Sequence, residues 1–294
     1  METINYIEFK KERDLGSIIS DTFKFIRENW KSYFLTVIKI TLPVLILFLL
    51  ILGYYFYSLS GLFSNIDNDT IENTFSGLGM VSFAITYILL LFSGVALYVL
   101  MVMSSLYYIR SYINNGGTTD FNTIKANVFG NFWPFFGMSV LIFFIIIFSM
   151  FLCIFPVFYT GTVLALAAPI LVFEGRGAVE SISHSFTLIK DHFWATFGVL
   201  FVVGILVYIL SLSFSIPSII YNFIKIGTSL DEGDPTTVFS IFKDPIYVAL
   251  YIFGYIGQFI LQSVTIIATV FLYYDLNEQK NFTGTFEKIE SLGQ

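Results

Sequence analysis

Charge and cysteine are what this chain has least of. Asp, Glu, Lys and Arg make up only 12% of its 294 residues, about half the share in an ordinary soluble domain. So few charges cannot cover the surface of a water-soluble fold of this size. The single cysteine, Cys153, lies inside an apolar run, which excludes a disulfide within the chain and a Cys-rich metal site. There are two histidines, and no GxxxxGKS or GxxxxGKT phosphate loop, HExxH or GxSxG, so no familiar catalytic constellation can be drawn. No cofactor, metal or nucleic-acid contact is expected. The start, METINYIEFKKERDLG, carries charges of both signs and no short apolar core ahead of a cleavage site. It does not read as a cleaved signal, so the first true span is expected to direct insertion.

What is present is apolar. Hydrophobic residues make up 56% of the chain, with 35 Phe and 18 Tyr, and the mean hydropathy is +0.80. Several runs exceed the roughly 20 residues a helix needs to cross about 30 Å of hydrocarbon. Six spans can be drawn, near 33–57, 80–109, 132–155, 157–173, 193–220 and 246–274. All must be helical, because lipid cannot satisfy backbone amides. Between the third and fourth spans only Pro156 punctuates the apolar run, and a tight hairpin is expected there in preference to one very long helix.

Lys and Arg are costly to translocate and gather on the cytoplasmic side. Twelve of the 15 fall in segments assigned to that side, Lys39 lies within a span, and only Lys225 and Lys243 fall outside. Both termini are therefore expected in the cytoplasm. The outer loops near 60–77 and 229–237 are acidic. The expected organisation is an N-terminal tail over 1–13, one six-span membrane domain over 14–275, and a C-terminal tail over 276–294.

A sentence is written twice in this chain. ISDTFKFIRENWKSYF at 19–34 recurs at an offset of 163 residues as ISHSFTLIKDHFWATF at 182–197, with Arg27 and Glu28 answered by Lys190 and Asp191. At helical spacing Ile19, Phe23, Ile26 and Trp30 form one apolar stripe, as do Ile182, Phe186, Ile189 and Phe193, and basic residues lie opposite. Helices of that pattern, joined to a span, are expected to lie in the headgroup plane, with Phe23 and Phe186 of the stripes that also hold Trp30 and Phe193 toward the acyl chains or bundle, and Arg27 and Lys190 toward water and lipid phosphates. A fainter copy stands at 120–137, and the exits LYYIR at 106–110 and LYYDL at 272–276 match. The expected fold is all-α, with three repeats in parallel orientation over about 14–110, 119–174 and 177–275, each an amphipathic helix plus a helical hairpin. Parallel repeats occur in transporters and in proteins that transport nothing.

FEGRGAVESISHSFTLIKDHFWATFGVLF at 173–201 with YYDLNEQK at 273–280 resembles the membrane domain attached to some bacterial glycerophosphoryl diester phosphodiesterases, and its free-standing relatives of unknown function. The resemblance spans most of the chain through short motifs. It implies an anchor in a bacterial inner membrane, beside envelope proteins and AAA-type ATPases in some relatives. About 20 residues follow the last span, too few for the phosphodiesterase domain, so that activity is not carried over.

Three sets of residues are candidates for function. On the sixth span Gly254, Gln258, Gln262, Thr265 and Thr269 share a face, and on the fifth Gly204, Tyr208, Ser211, Ser215 and Ser218 do. Small and polar rows let membrane helices pack closely and exchange hydrogen bonds. They can equally line a path or cavity for a ligand. Lys39, two turns into the first span, either snorkels to the headgroups or pairs with Glu174 or Asp275. His192 reads as a polar helix-start residue, as Asn29 and Asn131 do at the matching positions, and a proton-handling role is the other reading. The favoured function is a non-enzymatic scaffold or accessory subunit bound to membrane lipids and an envelope protein. The alternative is a transporter or channel for a lipid or small solute along the two polar faces.

Overall fold

A computed structural model describes residues 6–64, 77–152, 154–231 and 241–292. Cys153 and most of the two acidic loops, at 65–76 and 232–240, lie outside the described residues. The described residues are helical with no strand. The helices are α1 (Leu15–Ser64), α2 (Gly77–Asn114), α3 (Phe121–Gly130), α4 (Phe132–Leu152), α5 (Ile154–Leu164), α6 (Ala167–Glu174), α7 (Ala178–Ile189), α8 (Phe193–Asp231), α9 (Pro245–Asn281) and α10 (Thr283–Leu292). Six segments are long and apolar enough to cross a membrane: Leu15–Leu59, Met80–Asn114, Phe132–Leu152, Phe155–Glu174, Phe193–Gly227 and Pro245–Asn281. The protein is therefore an all-helical, multi-pass membrane protein. α4 and α5 pack on each other, so the run around Pro156 is a hairpin and not one long helix.

The elements end where the sequence supplies a reason. Gly116 and Gly117, both with positive φ, close α2 and let the chain reverse toward α3. Asp120 caps α3 by accepting from the backbone N–H groups of Asn122 at 3.1 Å and Thr123 at 3.3 Å. Gly175, at φ 68°, ends α6 in the left-handed region.

Of the three stretches expected to form in-plane helices, two are separate helices and the first is fused to its span. α3 breaks from α4 at Asn131, and α7 breaks from α8 over Lys190–His192, where the His192 N–H turns back to the Ile189 carbonyl at 2.9 Å. α1 instead runs unbroken through Trp30 into its span. No Gly or Pro lies between Asn29 and Phe34 to kink it there, and a continuous helix cannot leave the headgroup plane without a kink. The face of α1 that is buried within the protein is not the apolar stripe but the one beside it. Ile18, Thr22, Phe25 and Tyr33 are buried, whereas Phe23 is 40% and Trp30 54% exposed. At the same offset of 163 residues, Ser181, Ser185 and Leu188 are buried in α7, matching Ile18, Thr22 and Phe25.

By packing, the chain divides into two compact units, each assembled from several stretches. One comprises residues 1–40, 99–207 and 262–294, the other 41–98 and 208–261. The core of the first is aromatic: Phe9, Phe25, Tyr33, Tyr108, Tyr112 and Phe271 are essentially inaccessible. Phe25 meets Phe9, Tyr33, Tyr108 and Tyr112 edge to face, the arrangement that ring quadrupoles favour. The core of the second gathers Phe48, Leu52, Phe56 and Leu97, with Phe242, Tyr255 and Phe259 packed against them.

Candidate functional site

Within the second unit, the facing sections of α8 and α9 enclose a cavity of about 380 Å³, within the range typical of small-molecule sites. One wall is Ser215, Ser218, Asn222 and Phe223 of α8; the other is Tyr247, Tyr251, Gly254, Tyr255 and Gln258 of α9. The helices meet at the inner end. A Cβ on Gly254 would stand 3.2 Å from the Phe214 carbonyl oxygen, so glycine permits the approach. There the Gln258 carboxamide donates to Ser215 Oγ at 3.0 Å. Ser218 Oγ donates back to the Ser215 carbonyl at 2.8 Å.

Near the N-terminus of α9, Asp244 gathers three partners. It accepts from the Tyr221 hydroxyl at 2.7 Å and the Ile246 N–H at 2.9 Å, and pairs with Lys225 at 3.2 Å. The Tyr221 hydroxyl bond, aided by the Ile246 amide and Lys225, holds the Asp244 carboxyl below its usual value.

The two polar rows are thus used only in part. Gln258 and Ser215 meet, and Ser211 is half-buried beside them, its carbonyl accepting from Ser215 Oγ at 3.3 Å. Tyr208 is 65% exposed and lines no part of the cavity. Gln262 is half-buried, Thr269 bonds back to the Thr265 carbonyl of its own helix at 2.8 Å, and none of these three lines the cavity. A row at helical spacing defines a face, but only the partner helix decides where that face becomes a site. Asn222, Tyr247, Tyr251 and Tyr255 were missed by sequence reading. The tyrosines recur every fourth residue on α9, and that spacing was the available signal.

The expected charge cluster does not assemble. Lys39 lies over the Phe121 ring at 5.5 Å, and no ion pair joins it to Glu174 or Asp275 among the described residues. Glu174 pairs instead with Arg176, stands 3.5 Å from His184 Nε2, and accepts from the Tyr273 hydroxyl at 3.1 Å. Asp275 accepts from the Arg13 backbone N–H at 2.7 Å and from Gln279 at 3.0 Å. Each acid is claimed by groups nearer in the fold than a lysine on the first span. Of the amphipathic-helix residues, Arg27 and Lys190 are exposed, while Phe186 and Phe193 are half-buried beside the Tyr159 ring. His192 sits at the start of α8, its carbonyl accepting from the Thr196 N–H at 3.0 Å.

One buried charge of the first unit, Arg13, lies in what the sequence suggested was a tail. Its guanidinium is fully buried and donates to Asp21 at 2.9 Å, to the carbonyls of Phe9 at 2.7 Å and Lys11 at 3.1 Å, and to the Glu8 carbonyl. It also lies 4.6 Å above the Phe271 ring, on which Phe9 stacks at 4.3 Å. Burial pushes the guanidinium below its usual pKa, with Asp21 opposing. Residues 6–13 are therefore a strap fastened to α9, and the alternation of Ile7 and Phe9 with polar neighbours was its only trace in the sequence. At the other end, Glu278 caps α10 through the N–H groups of Gly284 at 2.7 Å and Thr285 at 2.9 Å. Among the described residues no group of three or more His, Cys, Asp and Glu could hold a metal ion. Comparison with protein-family models, with curated proteins and with solved structures finds no match to this chain.

Proposed function

We propose that this protein works by binding, as a multi-pass membrane protein that takes a lipid or small solute between the polar faces of its fifth and sixth spans. The observation that carries this reading is the cavity between Ser215, Ser218 and Asn222 on α8 and Tyr247, Tyr251, Tyr255 and Gln258 on α9. Polar groups at membrane depth are costly unless they meet a partner, so a concentration of them around one open space is a candidate for function. The Lys and Arg asymmetry of the sequence supports a reading in which both termini are cytoplasmic. A bacterial inner membrane, the threefold repeat and kinship with the phosphodiesterase membrane domain belong to the same proposal and rest on the sequence.

A second reading, an accessory or scaffold subunit of an envelope complex, is favoured by α10. Phe286 and Ile289, one turn apart on α10, are 64% and 60% exposed, an apolar edge that suits an apolar surface or a partner helix. Purification in mild detergent followed by mass spectrometry of what accompanies the chain separates the two. A lipid or solute retained in fixed ratio supports the first reading; a stoichiometric protein with no retained ligand replaces it with the second.

A further inference from the structure

The cavity of the second unit has a chemical character that narrows its occupant. Its lining has hydroxyls from Ser215, Ser218, Tyr247, Tyr251 and Tyr255 and carboxamides from Asn222 and Gln258, and no charged side chain. Among the described residues the Asn222 carboxamide and the hydroxyls of Tyr247, Tyr251 and Tyr255 make no hydrogen bond, and Gln258 makes only the one to Ser215. These groups span α9 from residue 247 to 258, about 16 Å of helix beginning at its loop end. They therefore run from the interface into the hydrocarbon, where an unmet donor costs several kcal/mol. An occupant with many hydroxyls can meet these neutral donors and acceptors together.

The charge balance argues against an anionic occupant. A phosphate or carboxylate in this space would have no compensating cation in its lining. Lys225, one turn beyond Asn222, is paired with Asp244 at 3.2 Å, and Asp244 is also bound by Tyr221. The tyrosines at 247, 251 and 255 rise along one face of α9 and offer flat ring surfaces with polar tips. Ile216, Ile220 and Phe253, from the same two helices, are 47%, 53% and 52% exposed and suited to acyl chains.

We infer that this cavity binds an uncharged, hydroxyl-rich group, a glycosyl or polyol headgroup, through Asn222, Gln258 and the Tyr247, Tyr251 and Tyr255 ladder. This rests on the reading of the cavity as a ligand site and adds the class of ligand. The same chemistry is offered by a glycosyl lipid and by a free sugar.

The test uses the full chain in mild detergent, with native mass spectrometry and thermal-shift titration against a monoglucosyl diacylglycerol, phosphatidylglycerol of the same acyl chains, and free glucose. Tyr251→Phe and Tyr255→Phe remove a hydroxyl and keep the ring, so they serve even if Gln258→Leu fails to fold. The glucosyl lipid should bind, and each Tyr→Phe variant should weaken it about tenfold while unfolding as the wild type does without ligand. Phosphatidylglycerol should bind at least about tenfold more weakly and be indifferent to these substitutions. Glucose binding as tightly as its lipid, with the same sensitivity, supports the chemistry and makes the source a soluble sugar. Phosphatidylglycerol binding tightest, and weakened by Tyr251→Phe, overturns the uncharged class but keeps the site. No ligand sensitive to any of the three substitutions overturns both.

Discussion

Replacing Arg13 with Ala should release the N-terminal strap. The substitution removes a guanidinium whose side chain is wholly buried and leaves the Asp21 carboxylate and the carbonyls of Glu8, Phe9 and Lys11 without their donor. Removing one member of a buried ion pair costs about 3–5 kcal/mol. The lower figure applies here, because Asp21 is 18% exposed and retains Lys11 at 3.5 Å. The Phe9 stack on Phe271 and the Arg13 N–H bond to Asp275 are made by groups that survive the change. At 1.36 kcal/mol per tenfold, about 3 kcal/mol raises the detached population roughly 10²-fold. Trypsin cleavage after Lys10 and Lys11 reads that population when opening and closing are fast. The rate should rise by about two orders of magnitude in Arg13→Ala and somewhat less in Arg13→Lys, which keeps the charge without the planar fork. Arg27→Gln, at an exposed position of α1, should match the wild type. A rise below about threefold, far under the roughly 10²-fold that burial requires, or an equal rise in Arg27→Gln, which would make the effect unspecific, would refute the claim that this arginine holds the strap.

Phe25→Ala should destabilise the protein by about 3–5 kcal/mol and Phe23→Ala by much less, because Phe25 is fully buried and Phe23 is 40% exposed; chemical unfolding of both variants in detergent checks the order. Gly257→Ala should cost about 1–3 kcal/mol by overpacking, since its Cβ would collide with the Phe214 ring, whereas Gly53→Ala meets nothing within 4 Å and should be neutral or stabilising in the same assay. Asp244 has a depressed folded pKa, so its contribution is present at neutral pH and is lost as pH falls through that folded value. Amide exchange at the start of α9 should accelerate only as pH falls below the ordinary carboxylate range, and the Asp244→Asn variant should lack that acid-dependent rise. With Cys153 replaced by Ser, a cysteine at exposed Thr118 should react with an impermeant label only from the cytoplasmic side; labelling from outside would invert the proposed topology.

The repeated sentence shows what a sequence pattern can and cannot specify. Ile18, Thr22 and Phe25, with their counterparts Ser181, Ser185 and Leu188, keep the same buried face 163 residues apart. The more apolar stripe one residue on, Ile19, Phe23, Ile26 and Trp30, attracted attention because hydropathy measures preference for an apolar medium. Lipid and protein interior are both apolar, so in a membrane protein that measure does not separate the outward face from the core. The path of the chain between in-plane helix and span is equally undetermined by the stripe. α7 breaks before α8 whereas α1 continues, although Asn29 and His192 hold matching positions.

The number of spanning helices, their approximate limits and the hairpin at Pro156 came from the sequence alone, because backbone satisfaction in lipid allows no other structure for long apolar runs. The polar residues of the fifth and sixth spans were visible for the same reason, since a Gln or Ser stands out against Phe and Ile. Which of them meet was decided by tertiary structure. Gly254 allows α9 to approach Phe214 and Ser215, so that Gln258 gains a partner and the tyrosines at 247, 251 and 255 face Ser218 and Asn222, while Tyr208 on the same row of α8 stays exposed. The partners of the buried charges were likewise decided by the fold. Asp275 accepts from the Arg13 backbone N–H across 262 residues of sequence, beside the stack of Phe9 on Phe271. Nothing local in the chain encodes such a contact, since it depends on the joint packing of segments that have no periodic relation to each other.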